Sequence, residues 1–335
     1  MSLPRIPLVA APTPIERLPR LSEAWGVDLS VKRDDLAGVS FGGNKARQLE
    51  YYLGAAEAEG ADTILITGAV QSNFVRTAAA SAAKLGMRTV VQLEDRVQGM
   101  DEAYRRSGNV FLLDVLGVEI MRYPEGEDEA GADRALRARA AELAAEGRRP
   151  FVIPLGLGET PYGAVGYMRA AEEIIEAGDR YDVIVTPSGS GLTHSGLLAG
   201  FRNAGDDTRI VGSCVRRAAT LQTARIRELS ERLEALLGAP TGVSASDIEI
   251  WDGALAPGYG RIGPAATEAL KLAARLEGLF LDPVYSAKTL GAVSGMIAAG
   301  EIAKGAKVLF IHTGGLSALF AYEGMVRDAL GVSAS

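Results

Sequence analysis

From Ala61 onward one phrase recurs along the chain: a short apolar run, a Gly, Pro or Asp, then a longer Ala/Leu/Glu/Arg-rich stretch. Periodicity and composition read the runs as strands and the stretches as helices. The strand candidates are Thr63–Thr67, Thr89–Leu93, Val118–Arg122, Phe151–Pro154, Val183–Thr186, Ile210–Val215, Ile248–Trp251, Leu279–Leu281 and Val308–His312. Most lack polar alternation, so both their faces need covering, and that predicts parallel strands between helices rather than a half-wet antiparallel sheet. The expected class is therefore α/β, with open, twisted, mostly parallel sheets flanked by helices. The charged stretch Arg122–Arg149 reads as a solvated helix, and no repeat or linker marks a domain boundary.

Composition narrows the partners. Among 335 residues, 35 basic and 42 acidic side chains leave a formal charge of −7 with no dense Lys/Arg block, so nucleic acid is not an expected partner. One cysteine, Cys214, and two histidines, His194 and His312, cannot assemble a zinc set, and no metal is expected. Pro4, Pro7 and Pro12 break the apolar start of the chain before it reaches signal length, and no run approaches the roughly 18 apolar residues of a membrane span. A cytoplasmic protein is expected.

Ligands of open α/β sheets gather beyond the carboxyl ends of the strands, which directs attention to the strand-to-helix connections. After Val183–Thr186 comes Pro187-Ser188-Gly189-Ser190-Gly191-Leu192-Thr193-His194. Such a turn aims backbone N–H groups and the positive end of a helix at one point, which suits a phosphate; it equally suits a tight connection. It lacks the Gly-Lys-Ser/Thr of a Walker loop and the third glycine of a dinucleotide fingerprint. Near the amino terminus stand Lys32-Arg33-Asp34-Asp35 and Phe41-Gly42-Gly43-Asn44-Lys45, where glycines permit close backbone approach and a lysine at a cleft can have a depressed pKa. Gln71-Ser72-Asn73-Phe74 follows Thr63–Thr67 and either caps a helix or holds a substrate carboxylate. Tyr259, Tyr285 and Thr313 lie near later strand ends. Neither histidine has the partners of a triad, and both read as hydrogen-bonded structural residues.

Taken as a set, Lys-Arg-Asp-Asp, Gly-Gly-Asn-Lys, Gln-Ser-Asn, Ser-Gly-Ser, Pro-Gly-Tyr-Gly, Leu-Glu-Gly-x-x-Leu-Asp-Pro-Val-Tyr and Phe-Ile-His-Thr-Gly-Gly resemble the D-cysteine desulfhydrase / 1-aminocyclopropane-1-carboxylate deaminase family, from about Arg17 to Tyr322. These are pyridoxal-phosphate enzymes of the tryptophan-synthase-β fold type. The resemblance implies that Lys45 carries the cofactor and that Ser188, Gly189, Ser190, Gly191, Leu192 and Thr193 cup its phosphate, with Asn44 and Thr313 nearby. It places Asn73 beside the pyridoxal 3′-oxygen, Ser72 beside the substrate carboxylate and α-carbon, and Gln71, Phe74, Tyr259 and Tyr285 around the substrate. Lys45, Ser72, Tyr259 and Tyr285 are the implied catalytic set. It further implies a large domain of residues 1–53 and 159–335, a small domain of residues 54–158, and a homodimer.

Two positions carry specificity. The residue at 286 is expected near the pyridine nitrogen, where Ser286 stands in place of the glutamate of the cyclopropane-opening enzymes. A neutral hydroxyl makes a weaker electron sink than a carboxylate does, which favours β-elimination of a good leaving group. Phe74 stands where family members carry His, and either walls the substrate or merely packs. The expected reaction is β-elimination from a small amino acid, D-cysteine first, then cysteate, with ring opening third and a catalytically silent binding protein last. Arg33 and Arg76 are candidates for an anionic side group, or else solvated residues.

Overall fold

The computed structural model describes residues 3–10, 12–156 and 159–332. Among them ten strands form two sheets: β1 Ile15–Arg17, β2 Asp28–Lys32, β3 Thr63–Ala69, β4 Arg88–Glu94, β5 Glu119–Tyr123, β6 Pro150–Ile153, β7 Val183–Ser188, β8 Arg209–Cys214, β9 Glu249–Trp251 and β10 Lys307–Ile311. The six-stranded sheet runs β1-β2-β10-β7-β8-β9 and the four-stranded sheet β5-β4-β3-β6. Every pairing is parallel except β1 with β2.

The missing polar alternation has the expected cause. All seven residues of β3 are buried. In β10, Val308 and Phe310 pack on one face with Leu29, Val31 and Val185, while Leu309 and Ile311 pack on the other with Ile184, Ile210, Tyr167 and Leu197. Successive side chains point to opposite sides of a strand, so two covered faces require an apolar residue at nearly every position.

Three expectations change. Leu279–Leu281 forms no strand and joins no sheet. Pro283, just beyond Asp282, has no N–H to give a ladder, and the Phe280 carbonyl hydrogen-bonds the His312 ring instead. β1 and β2 lie before the region where the apolar phrase begins; the register Ile15 with Lys32 makes β1 an antiparallel edge. The stretch 122–149, most of it exposed, holds the expected helix, Glu129–Ala145, but one face of that helix is not solvated: Leu136, Ala140 and Leu143 bury against Leu65 and Val90. The first residue of that helix reaches the cleft described next. The expected boundary at residue 158 falls outside the described residues.

Candidate active site

Lys45 opens the helix Asn44–Ala58 directly after a turn that only glycine fits. Gly42 has φ +62°, and a Cβ there would stand 2.1 Å from the Asp35 carbonyl oxygen. The Gly43 N–H donates to the Asp34 carbonyl at 2.8 Å and the Asn44 N–H to the Thr313 carbonyl at 3.1 Å, so the lysine is pinned against the end of β10. The Lys-Arg-Asp-Asp motif supports it from behind. The Asp34 carboxylate accepts from Arg47, Tyr167 and Thr13, while Glu173 accepts from Arg47 and Lys32.

The Lys45 amine lines a cleft together with Asn44, Ser72, Asn73, Phe74, Gly189, Ser190, Gly191, Thr193, Tyr259, Tyr285 and Thr313. Its hydrogen-bond partner is Gln48 Oε1 at 3.2 Å, and it lies 5.2 Å from the centroid of the Phe74 ring. Burial lowers its pKa to about 8. Lys288 is also buried and also lowered to about 8 by burial, but its amine donates to the carbonyls of Leu255 and Gly258. Of the two, Lys45 is the one that lines the cleft and keeps unused donor capacity.

Around the cleft, Ser72 caps the helix Asn73–Lys84 by accepting the Val75 N–H at 3.2 Å, leaving its hydroxyl proton for another acceptor. Asn73 Oδ1 accepts from Asn109 Nδ2 at 3.0 Å. Opposite, the turn Gly189–Gly191 feeds the helix Leu192–Asn203, whose amino end no side chain caps. The Thr193 hydroxyl accepts from Asn44 Nδ2 at 2.9 Å and from Gln48 Nε2 at 3.0 Å, tying this turn to the lysine helix. The hydroxyls of Tyr259 and Tyr285 meet at 2.7 Å.

Four expected residues turn elsewhere. Gln71 donates to the carbonyls of Tyr104 and Ser107 and accepts from Asn109 N–H, bracing the next loop rather than facing the cleft. The Ser188 hydroxyl is taken by Gln222 Nε2 at 2.9 Å and faces His194 Nδ1. Leu192 packs against a neighbouring hollow with Tyr52 and Leu229. Ser286 is fully buried; its hydroxyl donates to Asp282 Oδ1 at 2.6 Å and accepts the Asp282 N–H. Burial holds His194 near pKa 4, and His312 is lowered by the same cause and bridges Phe280 and Gly314. Arg33 pairs with Glu16 and Asp35, and the buried Arg76 bonds Ser40 and Asn109; neither lines the cleft.

The arginines that do line it are Arg96, Arg216, Arg217 and Arg225, with Glu129. Arg216 and Arg217 each reach Glu129 Oε1 at 2.6 Å, and Arg225 stands 3.7 Å from Oε2. Burial alone would raise the Glu129 pKa, but the guanidinium charges hold it lowered. The signal for two of them was present: Arg216 and Arg217 follow the carboxyl end of β8, where ligand groups of such sheets gather.

One end of the cleft thus offers an amine that burial keeps partly neutral, the other an uncapped helix end behind a glycine turn with hydroxyls. That donor set fits an aromatic aldehyde bearing a phosphate. A family model described as pyridoxal-phosphate dependent enzyme matches residues 6–314. The chain belongs to that family. It is 40% identical over 323 residues to a D-cysteine desulfhydrase of Salmonella typhi and 41% identical to that of Salmonella schwarzengrund, in each case over 96% of both chains. A solved structure titled an ACC deaminase homologue superposes with TM-score 0.89 at 36% identity, covering 98% of this chain and 97% of its own. The pyridoxal-phosphate enzyme described here has the same two mostly parallel, helix-flanked sheets, the architecture of fold type II. Among its described residues, no helix is long and apolar enough to cross a membrane.

Proposed function

We propose that this chain is a carbon–sulfur lyase that acts on D-cysteine, releasing sulfide, pyruvate and ammonia. The observation that carries the reading is the partly neutral amine of Lys45 across one cleft from the uncapped glycine turn, in a chain 40% identical over 96% of its length to D-cysteine desulfhydrases. Pyridoxal phosphate, when bound, supplies an electron sink for the bond broken at the α-carbon. Lys45 would hold its aldehyde end, the backbone of Gly189–Thr193 and the Ser190 hydroxyl its phosphate, and Asn73 its ring oxygen.

The remaining steps belong to the chain. The Ser72 hydroxyl and the adjacent helix end would orient the substrate carboxylate. Lys45 or Ser72 removes the α-proton, according to the face that carries it; a pKa near 8 leaves about a tenth of the amine neutral at pH 7. The Tyr259–Tyr285 pair, linked through one proton, can deliver a proton to the departing sulfur. Ring opening is the reading that position 286 weighs against: Ser286 bonds Asp282 inside the fold and brings no carboxylate of its own to the cleft. Product analysis of D-cysteine and aminocyclopropane carboxylate incubations tests this: pyruvate with sulfide is expected, and 2-oxobutanoate alone would overturn it.

We read residues 54–158 as the small domain and the rest as the large one, and the cytoplasm as the site of action. A homodimer is supported by an exposed apolar groove of Phe41, Phe111, Leu316 and Phe320, a surface that a second copy would cover. Light scattering of the purified holoenzyme tests it.

A further inference from the structure

The arginine cluster exceeds what a thiol substrate requires. Arg216, Arg217 and Arg225 surround one carboxylate, that of Glu129, with Glu127 reaching Arg216 only from the exposed rim at 3.2 Å. Arg217 and Arg225 have structural duties: they donate to the carbonyls of Gly189 and Ser190 and so hold the back of the glycine turn. Among the described residues, Arg216 has no backbone partner. Its side chain is 9% exposed, yet its Nε is buried without a hydrogen-bond partner among those residues, an expensive state for a guanidinium. Its guanidinium carbon lies 5.9 Å from the centroid of the Tyr259 ring, beside the paired phenols of the cleft. Glu129 itself has no capping duty, because Asp128 already accepts the Gly131 N–H at the start of that helix.

We propose that Arg216, backed by Arg217 and Arg225, is a subsite for an oxyanion carried on the substrate's β-carbon, with Glu129 as its displaceable internal counter-ion. This deepens, and rests on, the lyase reading above. The substrate class is β-sulfonated or β-phosphorylated amino acids, whose tetrahedral oxyanions share the bidentate geometry that guanidinium recognises. For a sulfonate the elimination balances without any oxidant. The α-proton passes to the base, its electron pair forms the Cα–Cβ double bond, and the Cβ–S pair departs with sulfite. The released enamine takes up a proton and water to give pyruvate and ammonium. Negative charge grows on the sulfonate as it leaves, and a preorganised guanidinium stabilises that growth.

The test uses the holoenzyme with cysteate of both configurations, O-phosphoserine and D-cysteine, read by the shift of the cofactor absorbance band and by release of sulfite, phosphate, sulfide and pyruvate. Cysteate is expected to shift the band and release sulfite with pyruvate; O-phosphoserine acting in its place assigns the subsite to phosphate esters. Arg216→Met should raise the ratio of half-saturation for the anionic substrate to that for D-cysteine about tenfold or more, the worth of one charge-assisted hydrogen bond. Glu129→Gln should lower the same ratio. In the wild-type enzyme, sulfate should compete with the anionic substrate more strongly than chloride at equal ionic strength, a measurement that survives if either variant fails to fold. If neither anionic amino acid shifts the band or slows D-cysteine turnover, or if sulfate and chloride act alike, the subsite is refuted while the desulfhydrase reading stands. If D-cysteine yields no pyruvate but cysteate still shifts the band in an Arg216-dependent way, the desulfhydrase reading falls and the subsite stands.

Discussion

The hydroxyl oxygens of Tyr259 and Tyr285 stand 2.7 Å apart, so one phenol donates to the other and the pair holds one proton to pass on. Burial, then the neighbouring Tyr259, raises the Tyr285 pKa well above 10, which keeps that phenol protonated at any working pH. Replacing either tyrosine with phenylalanine should lower kcat for D-cysteine by about 10²–10⁴-fold, with a smaller change in KM. A basic limb of the wild-type rate profile below pH 10 should survive in Tyr285→Phe, because Tyr285 does not ionise there. Steady-state kinetics of both variants across pH check this.

Burial disfavours the ammonium form of Lys45, so the amine becomes neutral as pH rises through about 8 rather than through the ordinary 10.5. Only the neutral amine attacks an aldehyde. Capture of pyridoxal phosphate by the apoprotein should therefore accelerate with a midpoint near pH 8 and be absent in Lys45→Ala. Stopped-flow absorbance across pH reads both.

Lys288 ties the carbonyls of Leu255 and Gly258, the segment that carries Tyr259. Lys288→Met leaves two carbonyls unpaired and frees that segment, at a cost of about 1–3 kcal/mol. The variant should keep the cofactor absorbance band, which depends on Lys45, and lose turnover. A loss of the band together with turnover would assign Lys288 a role at the cofactor instead.

Arg47 holds both Asp34 and Glu173 under the lysine helix. Arg47→Met strands two carboxylates and should cost about 3–5 kcal/mol in urea unfolding. Burial would raise the Asp34 pKa, but the Arg47 charge and the bonds from Arg47, Tyr167 and Thr13 leave it lowered. Its stabilising contribution is thus present above the unfolded carboxylate pKa of about 4 and lost as pH falls through the lower folded value. The wild type should lose this contribution only at acid pH, whereas Arg47→Met, with burial of Asp34 no longer offset by the guanidinium, should be weakest near neutrality and recover as acid protonates the carboxyl.

The architecture was readable because burial on both faces writes itself into β3, β7, β8 and β10 as uninterrupted apolar runs. β2, with Asp28, Ser30 and Lys32 between its apolar residues, carries no such run, and Leu279–Leu281 carries one without finding a partner. At the site, Gly42-Gly43-Asn44-Lys45 and the turn at Gly189–Gly191 were legible because each is a local backbone device whose glycines have a reason independent of the rest of the fold. Ser188 and Gln71 lie beside such devices, but their side-chain directions are set by neighbours distant in sequence, Gln222 for the first and Tyr104 and Asn109 for the second.

The sequence by itself determined the parallel, doubly covered sheets and the two glycine turns, because strand periodicity and left-handed backbone are properties of short segments. Only the tertiary structure decided that Glu129, from a stretch that reads as solvated, meets Arg216, Arg217 and Arg225 beside Tyr259. That meeting joins residues about 90 positions apart, the start of the helix Glu129–Ala145 and the segment after β8, and no local pattern of charge encodes which ions share a cleft.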